Sequence, residues 1–217
     1  RREGYKKSLR HDSYVPDVAL VDPALTLTMP QPMTIACGLD AVAQLIESCT
    51  STKADGVTDS LALKALACAA ESLVPLGLGQ SNDIALREKM SYAALVSGIT
   101  LSRAGLGAVH GIAGPLGGLF PVPHGVACGK LLFPVMSFVV KKVMDENNFE
   151  AQKRFADIGK ILTGSSGGDE TFYCRQFLDV LRKWSQILRL PPLSCFGLTS
   201  ADFEKIISLA ENKSSPA

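Results

Sequence analysis

From Pro32 almost to its end the chain repeats one pattern: apolar residues return at helical spacing, and capping residues or Gly and Pro interrupt them. Spacing of three and four places side chains on one helix face, whereas a half-buried strand needs alternation. GLDAVAQLIES carries Val42, Leu45 and Ile46 at that spacing. Asp55 or Thr58 is placed to cap a helix through LALKALACAAESLVPL, closed by Pro75 and Gly77. Asn82 or Asp83 is placed to cap ALREKMSYAALVSGITLSR, closed by Gly105. A glycine-rich connector over 105–118 follows, and the pattern resumes at His124 and runs to about Met144. An amphipathic helix over 148–162 ends at Gly164, GSSGGDE reads as a loop, and a helix from about Thr171 to Leu188 stops before Pro191 and Pro192. Thr199 caps a last short helix. Residues 1–30 read differently, as an extended leader with a short β-rich run, PDVALVD (16–22), ending in the turn signal Asp-Pro. The prediction is a mainly α fold: a helical bundle over 31–217 behind an extended segment. The basic start and the polar end NKSSPA are expected to fray.

Composition removes several function classes. With 22 Lys and Arg against 21 Asp and Glu, the net charge of +1 offers no electrostatic case for nucleic acid or an anionic membrane as partner. The basic start RREGYKKSLR lacks a following apolar signal core. No uninterrupted apolar stretch reaches the roughly 18–20 residues of a membrane span. The cysteines at 37, 49, 68, 128, 174 and 195 form no CxxC pair, and several sit among alanines and leucines. Those several read as small buried hydrophobes and all six as reduced thiols, which points to the cytoplasm.

Chemistry concentrates at Asp40, Gln44, His110 and His124. Asp40 and Gln44 lie four apart, which puts both on one helix face. Two of the three histidines fall in glycine-flanked apolar segments, GAVHGIAGPLGG and PVPHGVACG. A carboxylate for charge and two imidazoles for directional nitrogen donation suit a divalent metal, with Gln44 adding only a neutral carbonyl. The bland reading is a solvated helix face and two hydrogen-bonded core histidines. Against it, Asp40 stands between CGL and AVA, an apolar setting for an exposed carboxylate. GVACGK lacks phosphate-loop spacing and has Leu131 where Ser or Thr is needed, and no GxSxG elbow supports a hydrolase triad. His11, between Arg10 and Asp12, reads as a surface residue.

VDPALTLTMPQPMTIACGLDAVAQLIE resembles the iron-containing, metal-dependent alcohol dehydrogenase family of the dehydroquinate-synthase-like fold. That family's metal helix reads roughly G-x-D-A-x-x-H-x-x-E, and this chain has Gly38, Asp40, Ala41, Gln44 and Glu47. GAVHGIAGPLGGLFPVPHGVACGKLLFPVM is similar to the family's paired-histidine region, with His124 fourteen positions after His110. The resemblance covers nearly the whole chain. It implies the C-terminal helical, metal-binding domain of an NAD(P)-dependent alcohol dehydrogenase, with the leader as the last strand of a nucleotide-binding half.

Further expectations follow from that resemblance. Asp40, His110 and His124 would hold Fe2+ or Zn2+, with Gln44 as a weak fourth ligand or an outer donor. Leu25, Thr26 and Thr28 match the stretch that lies along the dinucleotide in relatives. The substrate would be a small alcohol or the matching aldehyde or ketone, and a homodimer is a possible assembly. Two positions depart from the family: the usual histidine after the Asp is Gln44, and a histidine often found near the nicotinamide is Gly114. The alternatives are a dehydroquinate-synthase-like lyase and a helical domain that has lost its chemistry. Alone, the segment is expected to be inactive for want of the cofactor's main cradle.

Overall fold

Helix α1 (Gln31–Cys49) is the axis of the fold, because its side chains are enclosed on almost every side. Val42, Ala43, Leu45 and Ile46 have no exposed surface. Burying Leu45 and Ile46 stabilises the fold by roughly 1.5–3 kcal/mol each. The structure, a computed structural model, describes residues 11–210, so the two ends expected to fray lie outside the described residues.

Helices α2 (Gly56–Gly77) and α3 (Ile84–Ala104) pair with each other and pack on α1. On another flank of α1 lie α4 (Ala108–Leu119) and α5 (His124–Asp145). A second pair, α6 (Phe149–Thr163) and α7 (Glu170–Ile187), packs on α5, and α6 also reaches α2. The short α8 (Phe203–Leu209) rests on α4. Single 3-10 turns occupy Asp12–Tyr14, Pro23–Thr26, Leu193–Phe196 and Ser200–Asp202. The mainly α, bundle-like architecture is as expected.

Boundaries follow the punctuation. Asp55 accepts from Thr58 N at 2.9 Å, and Asp83 accepts from Ala85 N and Leu86 N at 2.9 and 3.2 Å. Asn148 and Asp169 cap α6 and α7 in the same way. At the end of α6, Gly164 adopts φ +63°, a left-handed conformation that suits glycine, and its N–H closes the helix on the Lys160 carbonyl. Arg87 ties the start of α1 to α3: it is buried, and its guanidinium donates to Thr34 Oγ1 at 3.0 Å and to the Ser81 carbonyl at 2.9 Å.

Two expectations need correction. The run PDVALVD is not a strand: among the described residues no strand occurs, and Val18 and Leu20 stand exposed. Without a neighbouring strand to take up its N–H and C=O groups, β-propensity alone does not hold a strand. The glycine-rich stretch is a helix rather than a connector, since α4 spans Ala108–Leu119 with Pro115 inside it. Glycine costs about 1 kcal/mol per residue in a helix. Val109, Ala113 and Leu116 offset this by complete or near-complete burial. Helix α2 is long and apolar enough to meet a spanning criterion, yet Ala62, Ala65, Leu66, Ala69, Leu73 and Leu76 are fully enclosed by its neighbours. It is a core helix.

The α6–α7 contact depends on a missing side chain. A Cβ at Gly159 would overlap the Tyr173 carbonyl oxygen, which is backbone and cannot swing away. Gly98, inside α3, faces open space. Gly159→Ala should therefore lower unfolding stability by about 1–3 kcal/mol. Gly98→Ala should raise it by about 0.5–1 kcal/mol. Urea titrations with an unchanged slope check both; equal effects would show that the close approach is unimportant.

Candidate metal centre

Two carboxylates interrupt the apolar surface of α1. Asp40 and Glu47 lie seven apart, so two turns of helix bring both to one face, with Gln44 between them. Helices α4 and α5 then present their first turns to that face. His110 is the third residue of α4, His124 the first of α5, and Cys128 follows one turn later.

The register between α1 and α5 is set by close contact. A Cβ at Gly125 would overlap the Ala36 carbonyl, and one at Gly129 would overlap Leu39 and Leu190. With 125 seated on 36 and 129 on 39, His124 and Cys128 fall beside Asp40.

Glu47 does two jobs at the start of α4. The N-cap residue there is Gly107, which has no side chain to satisfy the free N–H groups. Glu47 Oε1 accepts from Val109 N at 2.6 Å in its place. The other oxygen, Oε2, lies 2.6 Å from His110 Nδ1. A carboxylate can only accept, so Nδ1 carries the hydrogen and the ring turns Nε2 towards Asp40. A Cβ on Gly107 would stand 3.0 Å from Glu47 Oε1, so glycine leaves the carboxylate its room.

Four donor atoms converge. Asp40 Oδ1 lies 3.1 Å from His110 Nε2 and 3.8 Å from His124 Nε2. Cys128 Sγ lies 3.6 and 3.7 Å from the same two nitrogens. All four atoms are within 4.8 Å of one another. Two ligands about 2.05 Å from a tetrahedral ion are about 3.3 Å apart, so the oxygen–nitrogen separations suit one small cation. The side chains open outwards: Glu47 is 1% exposed, His110 8% and His124 35%. The His124 side is where a further ligand has access.

The charges are strongly coupled. Burial works to raise the Asp40 carboxyl, but the His110 hydrogen bond and the nearby His124 outweigh it and hold it below the ordinary range. Burial opposes charge on His110, yet its hydrogen bonds to Asp40, Cys128 and Glu47 push it up to about 12. Burial pushes the Cys128 thiol up to about 11, with the His110 contact pulling the other way. A proton on His110 Nε2 occupies the position a cation needs, so the two compete for one lone pair.

Asp40, His110 and His124 come together. Gln44 lies on the same face, with its Oε1 2.7 Å from Ser97 Oγ on α3. Leu25 is exposed, Thr26 donates to the Pro23 carbonyl at 2.7 Å within its 3-10 turn, and Thr28 is exposed. Sequence reasoning missed two residues. Cys128 reads from the sequence only as one of six reduced thiols, although it stands four after His124, the same spacing that pairs Asp40 with Gln44. Glu47 matched the family motif but had no role. A cleft of about 250 Å³ lined by Leu39, Phe133, Ser185 and Leu188 includes none of the four donors.

Comparison with known proteins places the chain. The profile of the "Fe-containing alcohol dehydrogenase family, C-terminal" matches residues 34–215. The chain is 38% identical over 166 residues to the probable alcohol dehydrogenase EutG of Salmonella typhimurium, covering 76% of this chain and 40% of that protein. It is 33% identical over 201 residues to 1,3-propanediol dehydrogenase of Citrobacter freundii, covering 90% of this chain and 49% of that one. The solved structure of a mutant archaeal halo-thermophilic Red Sea brine pool alcohol dehydrogenase superposes with a TM-score of 0.84 at 25% identity, over 96% of this chain and 51% of that one. The chain thus spans less than half the length of these curated relatives. With the profile matched over most of its length and the histidine pair brought to Asp40 in space, the chain belongs to the iron-containing alcohol dehydrogenase family.

Proposed function

We propose that this chain supplies the metal-binding half of an NAD(P)-dependent dehydrogenase that interconverts small alcohols with aldehydes or ketones. The observation that carries the reading is the convergence of Asp40, His110 and His124 at the mouth between α1, α4 and α5. In that role Asp40, His110 and His124 hold Fe2+ or Zn2+, and Gln44 remains a neutral amide beside them. A divalent cation there would supply Lewis-acid polarisation of the alcohol or carbonyl oxygen, lowering the barrier to hydride exchange with a nicotinamide.

The chain's own residues do the positioning. Asp40 contributes the negative charge. Glu47 keeps the His110 hydrogen on Nδ1 and leaves Nε2 for the ion. His124, the most exposed of the donors, borders the side from which substrate arrives. Gly114, one turn beyond His110, has open space where a Cβ would stand. With no side chain there, residue 114 cannot take a proton leaving the substrate. The exposed Val18, Leu20 and Leu25 offer apolar surface that a nucleotide-binding half, or a second copy in a homodimer, would cover.

Two outcomes test this. A polypeptide carrying this segment together with a nucleotide-binding half should reduce NAD+ or NADP+ in the presence of a short primary alcohol and lose the activity to a chelator. Residues 1–217 alone should show none. Turnover by the 217-residue chain itself, or chelator-insensitive turnover by the longer one, would contradict the reading. Separately, Glu47→Gln should weaken metal affinity by about 10–100-fold, because the amide can turn a donor towards Nδ1. A competition titration with a chromogenic chelator measures this, and unchanged affinity would remove Glu47 from its positioning role.

A further inference from the structure

We propose that Cys128 is the fourth protein ligand of this metal centre, binding through its thiolate sulfur in the place that a neutral glutamine at 44 fills poorly. The inference rests on the reading of Asp40, His110 and His124 as metal ligands and adds to it a sulfur.

The geometry makes the case. For an ion about 2.05 Å from an imidazole nitrogen and about 2.3 Å from a thiolate, tetrahedral angles place nitrogen and sulfur about 3.6 Å apart. Cys128 Sγ stands 3.6 Å from His110 Nε2 and 3.7 Å from His124 Nε2. Hydrogen bonding accounts for these two near-equal separations only as two weak, oppositely directed contacts, the sulfur donating its one hydrogen to one ring and accepting from the other. One cation accounts for both. Cys174 makes a useful contrast: its Sγ donates to a single acceptor, the Gln152 carbonyl, at 3.3 Å.

Placement is equally specific. Cys128 lies four residues after His124 on α5, so the helix stacks the two donors on one face. The seats of Gly125 on Ala36 and Gly129 on Leu39 fix that face against Asp40. Gln44, by contrast, has its amide oxygen within hydrogen-bond distance of Ser97 Oγ. It also brings no charge. Among the atoms that would touch the ion, Asp40 and a Cys128 thiolate supply two negative charges, whereas Asp40 and Gln44 supply one. Coordination replaces the S–H bond with a sulfur–metal bond, the proton leaves to buffer, and nothing is oxidised or reduced. A soft sulfur ligand also shifts the preference of the site from Fe2+ towards Zn2+.

Cobalt(II) titration of the 217-residue chain reads the ligand directly, through the near-ultraviolet charge-transfer band that a thiolate gives and oxygen or nitrogen ligands do not. The wild type should take up one equivalent with this band. Cys128→Ala and Cys128→Ser should lose the band but still bind cobalt, at least about tenfold more weakly, through the three remaining donors. Cys37→Ser, at an exposed cysteine, should keep the band. Far-ultraviolet circular dichroism confirms that each variant is folded. One equivalent bound by the wild type without the band, or a band that survives in Cys128→Ala, overturns the sulfur ligand and leaves the three-ligand reading standing. No cobalt uptake by the wild type sinks both.

Discussion

The buried carboxylate of Glu47 is the contact on which the site depends. It sits on the most enclosed helix of the fold, and its two oxygens serve two different groups on α4, the Val109 N–H and the His110 ring. A buried carboxylate without partners would cost several kcal/mol, so the contact is strongly enforced once α1 is in the core. The positive end of the α4 dipole points at the same oxygens and adds to the attraction. One side chain thereby caps a helix, fixes a tautomer and aims a nitrogen at Asp40.

The remaining donors arrive by close packing of backbones. Helix α5 lies on α1 through Gly125, where a side chain would meet the Ala36 backbone, and Gly129, which sits against Leu39, and this sets His124 and Cys128 in register with Asp40. Local helix propensity counts for little here, because α4 and α5 contain glycines and internal prolines yet are held by enclosed faces. The same closeness that disfavours larger residues at 125 and 129 brings four donors within reach of one ion. Packing and chemistry are the same constraint viewed at two distances.

This explains what could be read from the amino-acid order and what could not. Helix starts at Asp55 and Asp83 were visible, each as one of two candidate caps, because a cap is a local event, settled within four residues. The pairing of Asp40 with two distant histidines was visible because glycine-flanked histidines in apolar segments are unusual, and because the surrounding motifs resemble a known family. Helix α4 was hidden because its stability comes from neighbours rather than from its own residues. The leader misled for the opposite reason, since Val18 and Leu20 have strand propensity but no strand beside them. Glu47 and Cys128 were hidden because their partners are set by three-dimensional packing: Glu47 meets its partners more than sixty positions away, and a cysteine among alanines looks like any other small buried residue.

On the proposed reading, these helices by themselves assemble a site for one divalent ion. Elemental analysis of the purified chain after reconstitution with Fe2+ or Zn2+, beside His124→Ala treated identically, tests it most directly. The wild type should carry about one equivalent of metal, largely lost from the variant while its helicity is retained. Metal absent from the wild type, or retained equally by His124→Ala, would contradict it.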